Sequence, residues 1–488
     1  MLERRLGLLG LTATGICAML GASINVVPFM VHRSVPGIGP YVLPAFMLAA
    51  VPALVAALAY AALASAMPRA GGSYLYASRG LNPYLGFIAS FSQWFGLSIV
   101  IGVIAYVIVP FLRDIAVASG AEALAGALET GPVRVGLALA LIWGFVTINV
   151  LGLRAYARTL IVMMFLMFGL GAIVILAGVG FDHGDFVAAL RAQEGREIGA
   201  APNADWQWSV FLTAAALMFS SFIGFDAIAQ AGGEARAPAR TLPLAILLAI
   251  TTVGAFYFAF TAAVYHAVPW WFVAEEAATK DISAPGLLAY LLPASLGVAI
   301  LTGAALALIN DLPAMLLSVS RLVFAWAEDG IFPRAIARVH DRLHTPHRAL
   351  GLSGVMASVG VLGSHFAGDF FLGIDIMVTA MLVNFLLMCL TLLCLPRVNP
   401  GLAARVVALP SRAIQRVVGV AGVLLLGAFL IIHVRKDLTG AAEAWYFRST
   451  WVWLLVMALG SVAYALARQR CEARGEPWQA RFTDLPRG

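Results

Sequence analysis

The feature that most constrains this chain is a succession of apolar runs, each about as long as a bilayer is thick. A helix rises about 1.5 Å per residue, so roughly 20 apolar residues cross the hydrocarbon core. Twelve such runs can be counted, at about 6–30, 40–66, 84–112, 135–153, 158–180, 209–231, 243–268, 287–320, 350–366, 370–395, 417–434 and 450–467. The 488 residues are 61% hydrophobic and 11% charged, where a soluble domain carries about 25% charged residues. The first run is too long for a cleaved signal peptide, and no small-residue cleavage pattern ends it. The expected fold class is all-α and integral to the membrane, with twelve transmembrane helices in contact with the lipid bilayer.

Charge sets the orientation. With both termini placed in the cytoplasm, 22 of the 31 Lys and Arg residues fall on the cytoplasmic side and 9 on the other. Asp and Glu run the opposite way, 8 against 14, with 3 inside spans. That asymmetry is the positive-inside pattern of a multi-pass protein of the cell (plasma or inner) membrane. The basic balance therefore reports topology and not a nucleic-acid partner. Cys17, Cys389, Cys394 and Cys471 lack the paired spacing of a zinc site, and no H-E-x-x-H is present. No metal and no cofactor are expected. The missing phosphate-binding loop argues against ATP-driven transport.

Two runs are poor choices for unbroken helices. The first contains TATGICAMLGASINVVPF, residues 12–29. Gly costs about 1 kcal/mol relative to Ala in a helix, and Ser and Asn compete for backbone groups. The helix is expected to unwind near Gly21–Ser23. Backbone that leaves helical geometry at membrane depth must be buried in protein or line a cavity. The sixth run holds the second interruption, with Ser220, Ser221 and Gly224 near its middle and Asp226 just beyond. In the eighth run Arg321 is expected at the cytoplasmic surface, and Asn310 and Asp311 lie about 15 Å from it, near the midplane. A carboxylate at that depth costs roughly 3 kcal/mol and is functional by default. Interrupted helices at the start of two successive five-span blocks point to a transporter built of inverted repeats.

Tyr74 and Tyr76, after the Gly71–Gly72 break, are expected as interfacial anchors. Gln93 and Trp94 in the third run either face a cavity or bond neighbouring helices. Glu234, Arg236 and Arg240 are expected to mark the cytoplasmic surface, and the Arg-rich stretch 327–348 to lie along it.

Four stretches together resemble the amino acid–polyamine–organocation superfamily of permeases: GICAMLGASI, MPRAGGSYLYASRGLNP, FIGFDAIAQAGGEARAPARTLP and SRLVFAWAEDGIFPRAIARVHDRLHTP. The resemblance implies a LeuT-like five-plus-five inverted repeat: spans one to five over 1–180, spans six to ten over 209–395, spans eleven and twelve over 396–470, and a short cytoplasmic tail over 471–488. It implies secondary active transport, by alternating access, of an amino acid or related small amine, proton-coupled or by exchange. Carried over residue by residue, Gly21, Ala22 and Ser23 offer N–H groups to a substrate carboxylate. Ser221, Phe222, Ile223 and Gly224 offer carbonyls to its ammonium, with Phe222 or Phe225 as a gate. Asp226, Asp311 and Asn310 are the candidates for coupling to a proton, or less readily to sodium.

This chain departs from the family at three points. Ser23 stands where members often have glycine. The fifth run reads MMFLMFGLG, without the lysine that can serve proton coupling. Ser220 occupies the place of the gating tryptophan of arginine/agmatine exchangers. Two other classes fit the same residues: a membrane-embedded enzyme using Asp226 and Asp311, and a non-transporting sensor with a permease fold.

Overall fold

The computed structural model describes residues 3–367, 370–440 and 444–486, apart from the side chains of Ala22, Ala294, 367, 370 and 371. Its helices are α1 (Leu8–Cys17), α2 (Ala22–Asn25), α3 (Val27–Ser34), α4 (Val42–Ala66), α5 (Gly72–Gly80), α6 (Pro83–Ala118) and α7 (Glu122–Glu129). There follow α8 (Gly131–Leu151), α9 (Leu153–Gly180), α10 (His183–Glu194), α11 (Trp208–Met218), α12 (Asp226–Gln230), α13 (Pro238–Ala267) and α14 (Trp270–Thr279). The last are α15 (Ala284–Leu288), α16 (Ala294–Glu328), α17 (His347–Ala367), α18 (Phe370–Val398), α19 (Pro400–Ala403), α20 (Arg412–Thr439) and α21 (Ser449–Glu472). Among the described residues there is no strand, and eleven helices are long and apolar enough to cross a membrane. The first expected span is not one of the eleven because it is broken. Its 10-residue apolar start, α1, stands apart from α2 and α3.

Burial sorts the long helices into two sets. Of the most apolar stretch of each, 89% is buried in the sixth expected span and 78% in α16 and α18, against 22% in α8 and 28% in α9 and α21. Leu176, Ile431 and Val417, on α9 and α20, are among the most exposed large side chains. Apolar side chains that face outward here meet lipid, the reverse of a soluble protein. The central set carries the polar residues.

The termini and the even-numbered turns meet on one face. Leu6 donates its N–H to the Glu234 carbonyl (2.9 Å), and Arg236 donates back to Leu6 (2.9 Å). Ala70 bridges to Ala231, and Arg69 Nε donates to the Pro486 carbonyl (3.2 Å). Several expectations for this face are corrected. Tyr74 and Tyr76 are fully buried, not interfacial: Gly71, at φ +89°, turns the chain so that α5 packs inward, and Tyr74 Oη donates to Asp329 (2.6 Å). Arg321 lies inside α16, buried, and grips the buried Glu234 at 2.5 Å. Neither residue marks a surface; Arg236 and Arg240 do stay exposed. Arg79 forks onto Asp329 (2.6 and 2.9 Å). The tail folds over this pair: Arg79 also donates to the Arg481 carbonyl (3.3 Å), and Phe482 and Trp478 are buried. Buried pairs of this kind are costly to open one partner at a time, at about 3–5 kcal/mol. This face is shut.

Candidate functional site

The first interruption occupies Ala18–Gly21, slightly earlier than Gly21–Ser23, and Ala22 and Ser23 open the short α2. Each freed carbonyl that is satisfied here recruits a side chain, as buried backbone requires. Tyr257 Oη donates to Met19 O, Asn25 Nδ2 to Gly21 O (3.2 Å), and Ser221 Oγ to Ser23 O (3.3 Å). The second interruption runs from a single 3₁₀ turn at Phe219–Phe222, through extended Ile223, to Gly224 at φ +139°. That φ favours glycine. A side chain at Gly224 would also strike the carbonyl of Ala18 and come within 2.8 Å of Met19 Cγ. The two interruptions therefore touch, backbone to backbone.

A cavity of about 20 Å³ lies beside them, room for about one water molecule. Its polar lining is Ser23, Ser220 and Asp311, and its walls are aliphatic, from Val27 and Ile104 to Met315 and Met377. Asp311 is seated against the first interruption: a Cβ at Gly21 would land on its carboxylate. Asn310, one residue earlier, donates to Met167 Sδ (3.4 Å), within the methionine-rich stretch of α9. Phe222 packs between Phe46 (5.4 Å) and Tyr257 (5.8 Å), over the first interruption. Phe225 instead stacks on Phe385 (5.0 Å), away from the cavity.

Asp226 sits in different company. Its carboxylate accepts from the Gly224 N–H (3.1 Å) and from Gln93 Nε2, which fixes the turn at Gly224 just before α12. Gln93 Oε1 in turn accepts from Ser73 (2.5 Å), Gln230 (3.2 Å) and Asn384 (3.3 Å), and Asn384 donates to Tyr60 (2.7 Å). This buried network ties α4, α5, α6, α12 and α18 together. Gln93 is thus a helix-bonding residue. Asp226 and Asp311 reach separate neighbours, and the cavity is lined by Asp311 alone of the two.

Sequence reasoning brought together Gly21, Ser23, Ser221, Gly224 and Asp311. It missed Tyr257, for which an isolated tyrosine in an apolar run gives no signal, and the aliphatic walls. Asn384 had a signal, a lone amide within VNFLLMCL, that could have found it.

On the face opposite the termini a second cavity, about 350 Å³, reaches down to Val103, which also lines the small cavity. The two cavities thus share one wall residue, on the side of the interrupted pair away from the termini. A family model described as amino acid permease matches residues 6–467. The chain belongs to the amino acid permease family. This permease is 29% identical to an uncharacterized transporter of Mycobacterium tuberculosis, over 73% of this chain and 74% of the relative. It is 25% identical to the methylthioribose transporter of Bacillus subtilis (74% and 75%) and 26% identical to that organism's branched-chain amino acid permease (74% and 75%). Family and relatives are transporters, which overturns the reading of the permease as a membrane-embedded enzyme. A multi-pass membrane transporter with a small-molecule substrate is what the sequence and its kin establish.

Proposed function

We propose that this permease is a twelve-span secondary transporter of the cell membrane, with both termini cytoplasmic and repeats over 1–180 and 209–395. It carries an amino acid or related small amine by alternating access, proton-coupled or as an exchanger. The observation that carries the reading is the contact of the two interruptions, Gly224 on Ala18 and Ser221 on Ser23, beside a small cavity. Irregular backbone meeting at one point offers both N–H groups and carbonyls, the two halves of a zwitterion's recognition. In this reading Gly21, Ala22 and Ser23 face the carboxylate, and Ser221, Phe222, Ile223 and Gly224 the ammonium. The aliphatic walls support a substrate with an apolar side chain, in line with the branched-chain substrate named for one relative and the thioether sugar named for another. Asp311, at the first interruption, is the coupling group; a proton is favoured over sodium.

The test is thermal stabilisation of the purified permease by leucine, arginine, spermidine and methylthioribose, followed by uptake into liposomes. A ligand at 100 times its dissociation constant adds about 2.7 kcal/mol of apparent stability. Stabilisation by an apolar amino acid that is also accumulated supports the reading. Stabilisation only by methylthioribose moves the substrate to that class, and accumulation of none overturns the transport reading.

A further inference from the structure

A groove of about 530 Å³ opens at the side of the molecule, on the face that carries the termini. Arg5, Arg154, Arg158 and Arg236 line it together with Leu153, Ile161 and Val162. The charge is lopsided. Arg5 pairs with Glu3, but among the described residues no carboxylate lies within ion-pair distance of Arg154, Arg158 or Arg236. A smaller cavity of about 240 Å³ shares Arg5 and Arg154 and adds Arg342 and His344. Its second carboxylate, Glu234, is already engaged by Arg321.

The geometry is layered. Arg154 and Arg158 stand one turn apart on α9, and like charges at that spacing repel. Ile161, Val162 and Phe165 follow within the next two turns, and Val162 and Phe165 are 62% and 61% exposed on a helix that faces lipid. Arg158 thus stands roughly 5–10 Å along the helix axis from an open apolar surface. A soluble anion would use the first layer only. A diacyl lipid with an anionic headgroup uses both, because arginine forks match phosphate oxygens while acyl chains cover the apolar strip.

We propose that this groove is a binding site for one anionic phospholipid, its phosphate held by Arg154, Arg158 and Arg236 and its chains laid along Ile161, Val162 and Phe165. The site straps α9 to the backbone clamp of Leu6 and Arg236, which ties the start of the first broken helix to the end of the second. Bound lipid therefore steadies the closed face. The proposal is independent of the transported substrate.

The test uses delipidated, detergent-purified permease with phosphatidylglycerol, phosphatidylcholine or inorganic phosphate, read by thermal midpoint and by lipid retained in native mass spectrometry. Phosphatidylglycerol should raise the midpoint and be retained, phosphatidylcholine should do neither, and raised salt should weaken the effect. The triple variant Arg154→Gln/Arg158→Gln/Arg236→Gln should lose most of the retention. Arg397→Gln/Arg405→Gln/Arg416→Gln, on other turns, should keep it, and the corresponding triple lysine variant should recover part. If the glutamine triple does not fold, Arg158→Gln alone should still lower retention severalfold. Equal retention in the arginine-to-glutamine variants, or equal effects of the two lipids, overturns the proposal. A full midpoint shift from inorganic phosphate alone makes the groove a free-anion site and overturns it too.

Discussion

The two interruptions use the same device and place their carboxylates in opposite situations. Each has a glycine that no other residue replaces without collision, at Gly21 and Gly224. Beyond the second break, Asp226 is fixed by the Gly224 N–H and a chain of amides through Gln93 to Asn384. Such a network is rigid, since each member is held by its neighbours. Beside the first break, Asp311 lines a cavity and lies against Gly21. Of two buried acids, the one facing a cavity is better placed to exchange a proton or meet an ammonium, and the one in a network to hold a half-helix in place. Asp226 is the acid that matches the resemblance, and the cavity lining is the feature that favours Asp311 instead.

The largest effect is expected where the breaks touch. Gly21→Leu should abolish substrate binding while the protein still reaches the membrane, because the side chain lands on Asp311 and fills the cavity. Gly224→Ala should lose uptake as well, and also lose stability, since φ +139° strains a Cβ by about 1–3 kcal/mol before the collision with Ala18 is counted. Substrate-induced thermal shifts on both variants decide this. If Gly21→Leu binds with unchanged affinity, the first break is a packing feature and the comparison fails.

Next in size is the separation of the two acids. In liposomes, Asp311→Asn should remove accumulation driven by a pH gradient yet keep exchange of internal for external substrate. Asp226→Asn should lower both modes together and cost about 1–3 kcal/mol of stability, the range for leaving a buried hydrogen-bonding group unsatisfied. Proton-driven accumulation that persists in Asp311→Asn would return the coupling role to Asp226 or remove it from both.

Much of this was legible in the sequence. Apolar length located the eleven helices that are long enough to cross a membrane, and Gly, Ser and Asn located both breaks to within about one turn. The first break was displaced because Asn25 and Ser23 look like helix breakers, yet Asn25 bonds back to Gly21 O and helps α2 form. What stayed hidden was contact across the chain. Nothing near Tyr74 tells that Asp329, 255 positions away, buries it. Arg321 read as a surface charge because its partner, Glu234, lies in another segment. The pairing of Gln93 with Asp226 and Asn384 likewise depends on packing among three helices. Local propensity marks where the backbone departs from helix, and only tertiary structure says what meets it there.

The smallest effect sharpens the comparison from the side of the first break. Tyr257 donates to Met19 O, and its ring packs on Phe46 (5.5 Å) and Phe222 (5.8 Å). Tyr257→Phe keeps both ring contacts and removes only the hydroxyl. A buried carbonyl left without its donor costs about 1–3 kcal/mol. If the cavity at this break must stay deformable, the unfolding midpoint should fall modestly while substrate affinity changes by several-fold, because the freed carbonyl lies in the turn that carries Gly21. The counterpart at the second break is Gln93→Leu, which strips a donor from Asp226 and the acceptor shared by Ser73, Gln230 and Asn384. That variant should lose more stability and, for equal lost stability, less affinity. The two ratios of affinity loss to stability loss are the measurement. Equal ratios would mean that the breaks are alike in function and that the difference between Asp311 and Asp226 is one of packing alone.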